Sequence, residues 1–409
     1  MTIEKNSLKI IWISLSGYAL TAPASIAASQ LFFGITVAAF LVYLITLQNK
    51  SSLIFPPLLV ILSVIAFVVF RFISMAKGGK DVFMIREEWL FLMTLIGAVV
   101  FRDIRNLTRL LDVFAAGIII MGGYGIWQHY VGVDLYHHIL LGRMVFGYRA
   151  IGTFSTYLTF SGFFAITAIF LVPAGFTATS KTRKLYYLLA SQVSLACILF
   201  NYSRSTIIAL VIGVVLLIIL AGARYRKWIA LLLLSTMAVG IVVSPDFLNR
   251  FKNISGTEFS ATYANSRFAI WQTTLSMIEE KPLFGVGPGN FDKEYIAHRE
   301  IRVGRNLSHA HNDILNVAAE SGIVCALLFL LMWAIIIAKL YKGYIKCPDG
   351  WQKGLILGTL LSSAVFFVMS QFEAFFADEE VRLLLMFYWG IGLAVLGNLK
   401  ASEKLSEIA

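Results

Sequence analysis

Residues 305–323 read RNLSHAHNDILNVAAESGI, a polar, histidine-bearing approach that passes straight into a long apolar run. His309, His311, Asn312, Asp313 and Glu320 stand at its mouth. An imidazole titrates near working pH, so either histidine suits a general base or acid. Alternate positions would also let His309 and His311 act as two ligands on an extended segment. Asp292, Glu294, His298 and Glu300 lie upstream, but no HExxH or comparable ligand spacing appears, and neither a metal nor another cofactor is expected. Arginine grips phosphate oxygens through two parallel hydrogen bonds and stays charged beside lipid. Arg204, in the short NYSRST turn, and Arg267, in NSRFAIW, are the strongest candidates, followed by Arg143 and Arg149.

Each of these residues also has a plainer reading. Ser308, Asn312 or Asp313 can cap the helix that follows. Asp313, Asn316 and Glu320 share one helical face that descends ~10 Å, and can simply hydrogen-bond neighbouring helices. Arg143, Arg299, Arg302 and Arg305 can snorkel to lipid headgroups.

Such residues must be carried by membrane helices. The chain has 409 residues, 58% hydrophobic and only 14% charged, where a soluble domain carries about 25% charged residues. Apolar stretches long enough to cross ~30 Å of hydrocarbon recur throughout. An all-α polytopic fold with about twelve spans is expected, over 10–28, 30–47, 53–75, 89–101, 110–128, 157–176, 185–201, 206–222, 228–245, 314–338, 354–372 and 383–399. The first stretch also resembles a secretory signal, but an uncleaved helix is favoured. Cys197, Cys325 and Cys347 are scattered and imply no disulfide framework. The net charge of +11 points to topology and anionic membrane lipid rather than to nucleic acid.

Basic residues set the expected orientation. QNKSS, RDIRNLTR, TSKTRK, ARYRK and the segment with Lys342, Lys346 and Lys353 are all basic, as are both chain ends. By the positive-inside rule the termini are cytoplasmic and loops after odd-numbered spans face outward. The chain then divides into spans one to nine (1–245), a long outward loop (246–313), and spans ten to twelve with a cytoplasmic tail (314–409). Within the loop, an amphipathic helix is expected from about Ser266 to Glu280, stopped at Lys281-Pro282. The turns of GVGPGN follow at 285–290, a weak phosphate-binding signal.

SRFAIW, KPLFGVGPGNF and SHAHNDILNVAAESGI, with NYSRS and RAIGTFST upstream, resemble the O-antigen ligase and polymerase-like superfamily of bacterial membrane glycosyltransferases. The motifs cover roughly residues 140–325. The resemblance implies about a dozen helices in the inner membrane and an active site on a periplasmic loop. It implies an undecaprenyl-diphosphate-linked glycan donor and, for a ligase, a lipid A–core acceptor. It makes His311 the essential histidine and Arg204 and Arg267 the phosphate-binding arginines. Arg149, His309 and Asn312, which match less strictly, are expected as substrate-binding positions together with Arg143 of the same outer loop as Arg149. Two arginines can neutralise a leaving diphosphate without a metal.

Rival readings fit less well. A lipid-phosphate phosphatase would share SRSTIIALVI, but no histidine follows at the required spacing. Metal-dependent polyprenyl-phosphate glycosyltransferases carry acids in the first outer loop, where this chain has none. A glycan polymerase, a protein O-oligosaccharyltransferase and, in a different class, a lipid-linked glycan transporter or flippase remain alternatives. The concentration of polarity in one outer loop disfavours a midplane transport site.

Overall fold

The computed structural model describes residues 2–49, 53–79, 87–144, 146–222, 226–227, 230, 234, 266–299 and 307–408. Thirteen helices appear among them: α1 (Thr2–Thr21), α2 (Ile26–Thr46), α3 (Leu58–Lys77), α4 (Phe91–Val100), α5 (Ile104–Val131), α6 (Tyr157–Thr177), α7 (Lys181–Asn201), α8 (Arg204–Leu220), α9 (Arg267–Glu280), α10 (Phe291–His298), α11 (Asp313–Lys346), α12 (Trp351–Met369) and α13 (Glu379–Ile408). A two-residue hairpin, β1 (Val133–Asp134) with β2 (Ile139–Leu140), is the only sheet in the described residues. The protein is an all-α polytopic membrane protein. Seven helices (α2, α3, α5, α6, α11, α12 and α13) are long and apolar enough to span by themselves, and α8 is a shorter apolar helix.

The ends follow local chemistry. Asp103 caps α5 by accepting from the Arg105 and Asn106 amides, and Gly132 closes it in a left-handed conformation. Ser25, Thr156 and Ser180 cap α2, α6 and α7 in the same way. The first helix departs from expectation: it runs Thr2–Thr21 rather than 10–28, because the turn at 22–25 and the Ser25 cap start a new helix at Ile26. Nearly all of the expected span at 228–245, part of the 246–313 loop, and Glu300, Arg302 and Arg305 lie outside the described residues.

Burial sorts the helices into centre and rim. α6 is enclosed on almost every side, and α13 buries a near-continuous run from Val381 to Leu396. α6 packs on α7 and α12, α13 on α4, and α11 on α3. α2 and α3 instead expose large apolar side chains such as Leu41, Ile45, Leu58 and Ile65, as a lipid-facing rim does. α11 is broken at Gly322, where φ is 86°. There the 282–287 segment lies against the broken turn, with Val286 donating to Ala319 O, Gly287 to Glu320 O, and Ile323 to Pro282 O. A Cβ at Gly322 would sit 2.0 Å from Leu283 O, so only glycine fits.

Candidate active site

Asn312 caps α11 by accepting from the Leu315 amide, and donates through Nδ2 to Gln371 O at 3.2 Å. Of the three possible caps, Asn312 is the one used. Just before it, His311 takes a left-handed backbone (φ 51°), an uncommon state for a non-glycine residue that here turns the chain into the helix. On the other side, the loop 370–378 joins α12 to α13 and is fixed from beneath. The buried Asp313 carboxylate accepts the Phe376 amide with both oxygens at 3.0 Å. Asp313 also donates its own amide to Ser370 O.

This loop presents Glu373, 6% exposed, to the two histidines. Its Oε1 lies 2.8 Å from His311 Nδ1 and 3.5 Å from His309 Nε2, while Oε2 lies 3.4 Å from Arg267 Nη2. The rings of His309 and His311 meet edge to face, 4.3 Å apart. His309 Nδ1 accepts the His311 backbone N–H at 3.3 Å, so its Nε2 carries the proton in the neutral ring. Burial, first, then the nearby charges of His311 and Arg267 push the His309 pKa down to about 4, against the pull of Glu373. Burial pushes Glu373 up. The His311 hydrogen bond and the charges of His311, His309 and Arg267 outweigh it and hold the carboxyl below its ordinary value. A carboxylate accepting at Nδ1 fixes the tautomer of His311 and leaves Nε2 as its basic nitrogen, the orientation a general base requires.

Three ligand-type atoms of His309, His311 and Glu373 lie within 4.8 Å of one another. The donor set alone would suit a transition-metal ion. Here, however, Oε1 already takes the His311 proton and a guanidinium holds Oε2, so a dication would displace the first and face the second. The arrangement fits proton handling better than metal binding.

The remaining candidates make no direct contact with this cluster among the observed interactions of the described residues. Arg204 is the first residue of α8, half-buried, just beyond the left-handed Tyr202. Arg149 donates through Nε to Asn201 O at 3.0 Å and lies 3.2 Å over the Tyr157 ring. The start of α6 that carries Tyr157 is tied to the Glu373 loop, since Thr159 donates to Asp378 Oδ2 at 2.5 Å. Arg149 and Arg204 therefore occupy the same end of the helix bundle as His311. Arg143 is exposed and pairs with Tyr148 in an isolated bridge beside the β1–β2 hairpin.

The polar stripe on α11 serves packing. Asn316 Oδ1 accepts the Ala310 amide, and Glu320 Oε1 accepts the Gly289 amide at 3.1 Å. That second bond fills a donor in GVGPGN that phosphate would need, and Asn290 ties the same turn to Val286 O and Gly78 O. Glu320 also reaches Arg71 (3.9 Å), which pairs with Glu88 (2.9 Å), which pairs in turn with Arg382. Arg382 donates to Phe376 O, so Arg382 and Asp313 hold Phe376 of the Glu373 loop by its carbonyl and its amide, in two consecutive peptide groups.

Sequence reasoning missed Glu373, Arg71, Glu88 and Arg382. Glu373 had a signal. It falls in SQFEAFFADEE, a break between apolar spans expected to face the same side as His311.

Residues 188–330 match the family model described as O-antigen ligase. The matched stretch carries Arg204, Arg267, His309, His311 and Asn312. Over that stretch the chain is similar to the O-antigen ligase family. It is also similar to the teichuronic acid biosynthesis protein TuaE of Bacillus subtilis (strain 168), at 24% identity over 272 residues, 62% of this chain. It spans about half the length of that relative, 52%. Glu373 lies beyond the stretch matched by the O-antigen ligase model, so the carboxylate partner of His311 comes from a part of the chain outside that match.

Proposed function

We propose that this protein is an O-antigen ligase that moves a glycan from undecaprenyl diphosphate to a hydroxyl of lipid A–core, without a metal. The observation that carries the reading is the 2.8 Å contact between Glu373 Oε1 and His311 Nδ1, with Arg267 on the other carboxylate oxygen. The acceptor hydroxyl gives its proton to His311 Nε2 as its oxygen bonds to the anomeric carbon. The bond from that carbon to the diphosphate breaks, and the electron pair leaves with the phosphate. A single displacement inverts the anomeric centre. Arg267 and Arg204 take up the charge of the leaving diphosphate. One Arg267 nitrogen is engaged by Glu373, and a guanidinium carries five N–H donors in all. Arg149, Arg143, His309 and Asn312 line the approach of the two substrates.

The basic connections support, by the positive-inside rule, a reading in which this end of the bundle faces the periplasm and both termini are cytoplasmic. A second reading, extension of a growing glycan by the same donor chemistry, is favoured by the teichuronic acid relative. Purified protein in nanodiscs, given labelled undecaprenyl-diphosphate glycan and rough lipopolysaccharide, tests both. Labelled lipopolysaccharide that disappears in His311→Ala is expected. Label joined instead to free glycan selects the second reading, and absence of any covalent product overturns both in favour of transport.

A further inference from the structure

At the end of the bundle opposite His311, the α6–α7 turn, the end of α8 and the α11–α12 turn enclose a cavity of about 510 Å³. Lys184, Lys353, Asp349, Tyr344 and Gly222 are among its lining residues. Lys353 donates to Asp349 at 2.9 Å and lies 5.3 Å from the Tyr344 ring centroid, while the Asp349 side chain is 96% exposed. Two lysines against one solvated carboxylate leave the mouth cationic. Lys181, Lys342 and Lys346 add positive charge on the same turns.

A second cavity of about 490 Å³ adjoins it, and the two share Leu220. This one is a groove between α8, α11 and α12, with Leu216, Leu330, Trp333, Leu360 and Phe367 along it. Its Ser363 hydroxyl is already spent on Thr359 O and the Trp389 indole N–H. From Leu330 to Tyr341 the groove follows α11 for about 16 Å at 1.5 Å per residue. One leaflet of a ~30 Å hydrocarbon core is about 15 Å deep. A cationic cavity at the end of the bundle therefore lies beside an apolar groove about one leaflet long.

We infer that the paired cavities bind one anionic phospholipid of the leaflet opposite the candidate active site. Its phosphate headgroup sits between Lys184 and Lys353, and an acyl chain lies in the groove along α11. Charge selects the headgroup, and apolar length selects a lipid over free phosphate. The polarity also separates it from a glycan donor, whose diphosphate would lie at the other end of the same helices.

The test uses the full chain in phosphatidylcholine nanodiscs, read by native mass spectrometry and by thermal unfolding. One retained phosphatidylglycerol, and a melting midpoint raised by several degrees when phosphatidylglycerol is added, are expected. Lys184→Gln with Lys353→Gln should weaken the preference for phosphatidylglycerol over phosphatidylcholine at least tenfold. Ala334→Trp, which fills the groove and leaves the lysines in place, should abolish retention of either lipid. Equal response to both lipids, an equal shift from inorganic phosphate alone, or retention of a polyprenyl lipid in place of a phospholipid would overturn the inference. If the double variant does not fold, the wild-type lipid comparison and Ala334→Trp still decide it.

Discussion

Nδ1 of His311 lies 2.8 Å from Oε1 of Glu373, a residue 62 positions further along the chain. The first stands at the entrance to α11, and the second on the loop that leaves α12. In the proposed reaction that contact directs the imidazole as a base, so the carboxylate should matter as much as the ring. Glu373→Gln keeps the shape and removes the charge. It should lower glycan transfer by about 10²-fold or more while the protein still accumulates in the membrane. Turnover of the purified variant measures this, and wild-type turnover would remove Glu373 from the reaction.

Arg267 faces the same carboxylate with a fork that lysine cannot reproduce. Arg267→Lys should cost on the order of 10² in rate, close to the effect of losing one positioned donor to a developing anion. Turnover normalised to the amount of folded protein, read by size-exclusion chromatography, distinguishes this from a general loss of folding.

Acid should destabilise the site, and the sign follows from two groups. His309 has its pKa lowered to about 4, so between that value and 6.5 the unfolded chain binds a proton that the folded chain refuses. Stability therefore rises with pH through this window and is complete above it. Glu373, also lowered, adds stability above its ordinary range that is lost as pH falls further. Thermal unfolding between pH 7 and pH 4 should show the decline, and His309→Gln should flatten its upper part. An unchanged slope would contradict the burial of His309.

Glu88 and Arg382 are 6% and 1% exposed and paired. Glu88 also pairs with Arg71, so removing Glu88 takes the shared carboxylate from two buried guanidinium groups, at about 3–5 kcal/mol. Glu88→Gln should therefore unfold at markedly lower temperature than Arg382→Met, which leaves Glu88 its Arg71 partner. Equal midpoints for the two would mean that Glu88 does not couple the two arginines.

Gly322→Ala should be among the most damaging single changes, several kcal/mol by forced strain alone. The added methyl meets Leu283 O and the backbone must leave its left-handed state. Membrane abundance of the variant reports this directly, and normal abundance would show that the break in α11 can relax.

The helices were legible because apolar length is a local property. Tyr157–Thr177 and Arg267–Glu280 fall within a residue of where hydropathy and the Ser266 cap put them. His311 and Arg267 were legible as residue types beside membrane-grade segments. Glu373 was not, since its role exists only when two loops 62 residues apart meet. Arg71, Glu88 and Arg382 were hidden for a related reason: each breaks an apolar run alone, and pairing emerges only when α3, α13 and the turn before α4 pack together. The α1 boundary was misplaced because a short turn at 22–25 hardly interrupts the hydropathy of two consecutive helices.

The seam between residues 282–287 and the break in α11 is stitched by peptide groups: Val286 to Ala319, Gly287 to Glu320, Ile323 to Pro282. Side chains take no part in these three bonds, yet the seam is not indifferent to sequence: a Cβ at Gly285 would meet Glu320 C at 2.4 Å and one at Gly322 would meet Leu283 O. The stub of α11 from Asp313 to Ser321 is thereby moored to the loop before it, and the mooring depends on two positions where the smallest residue has no substitute.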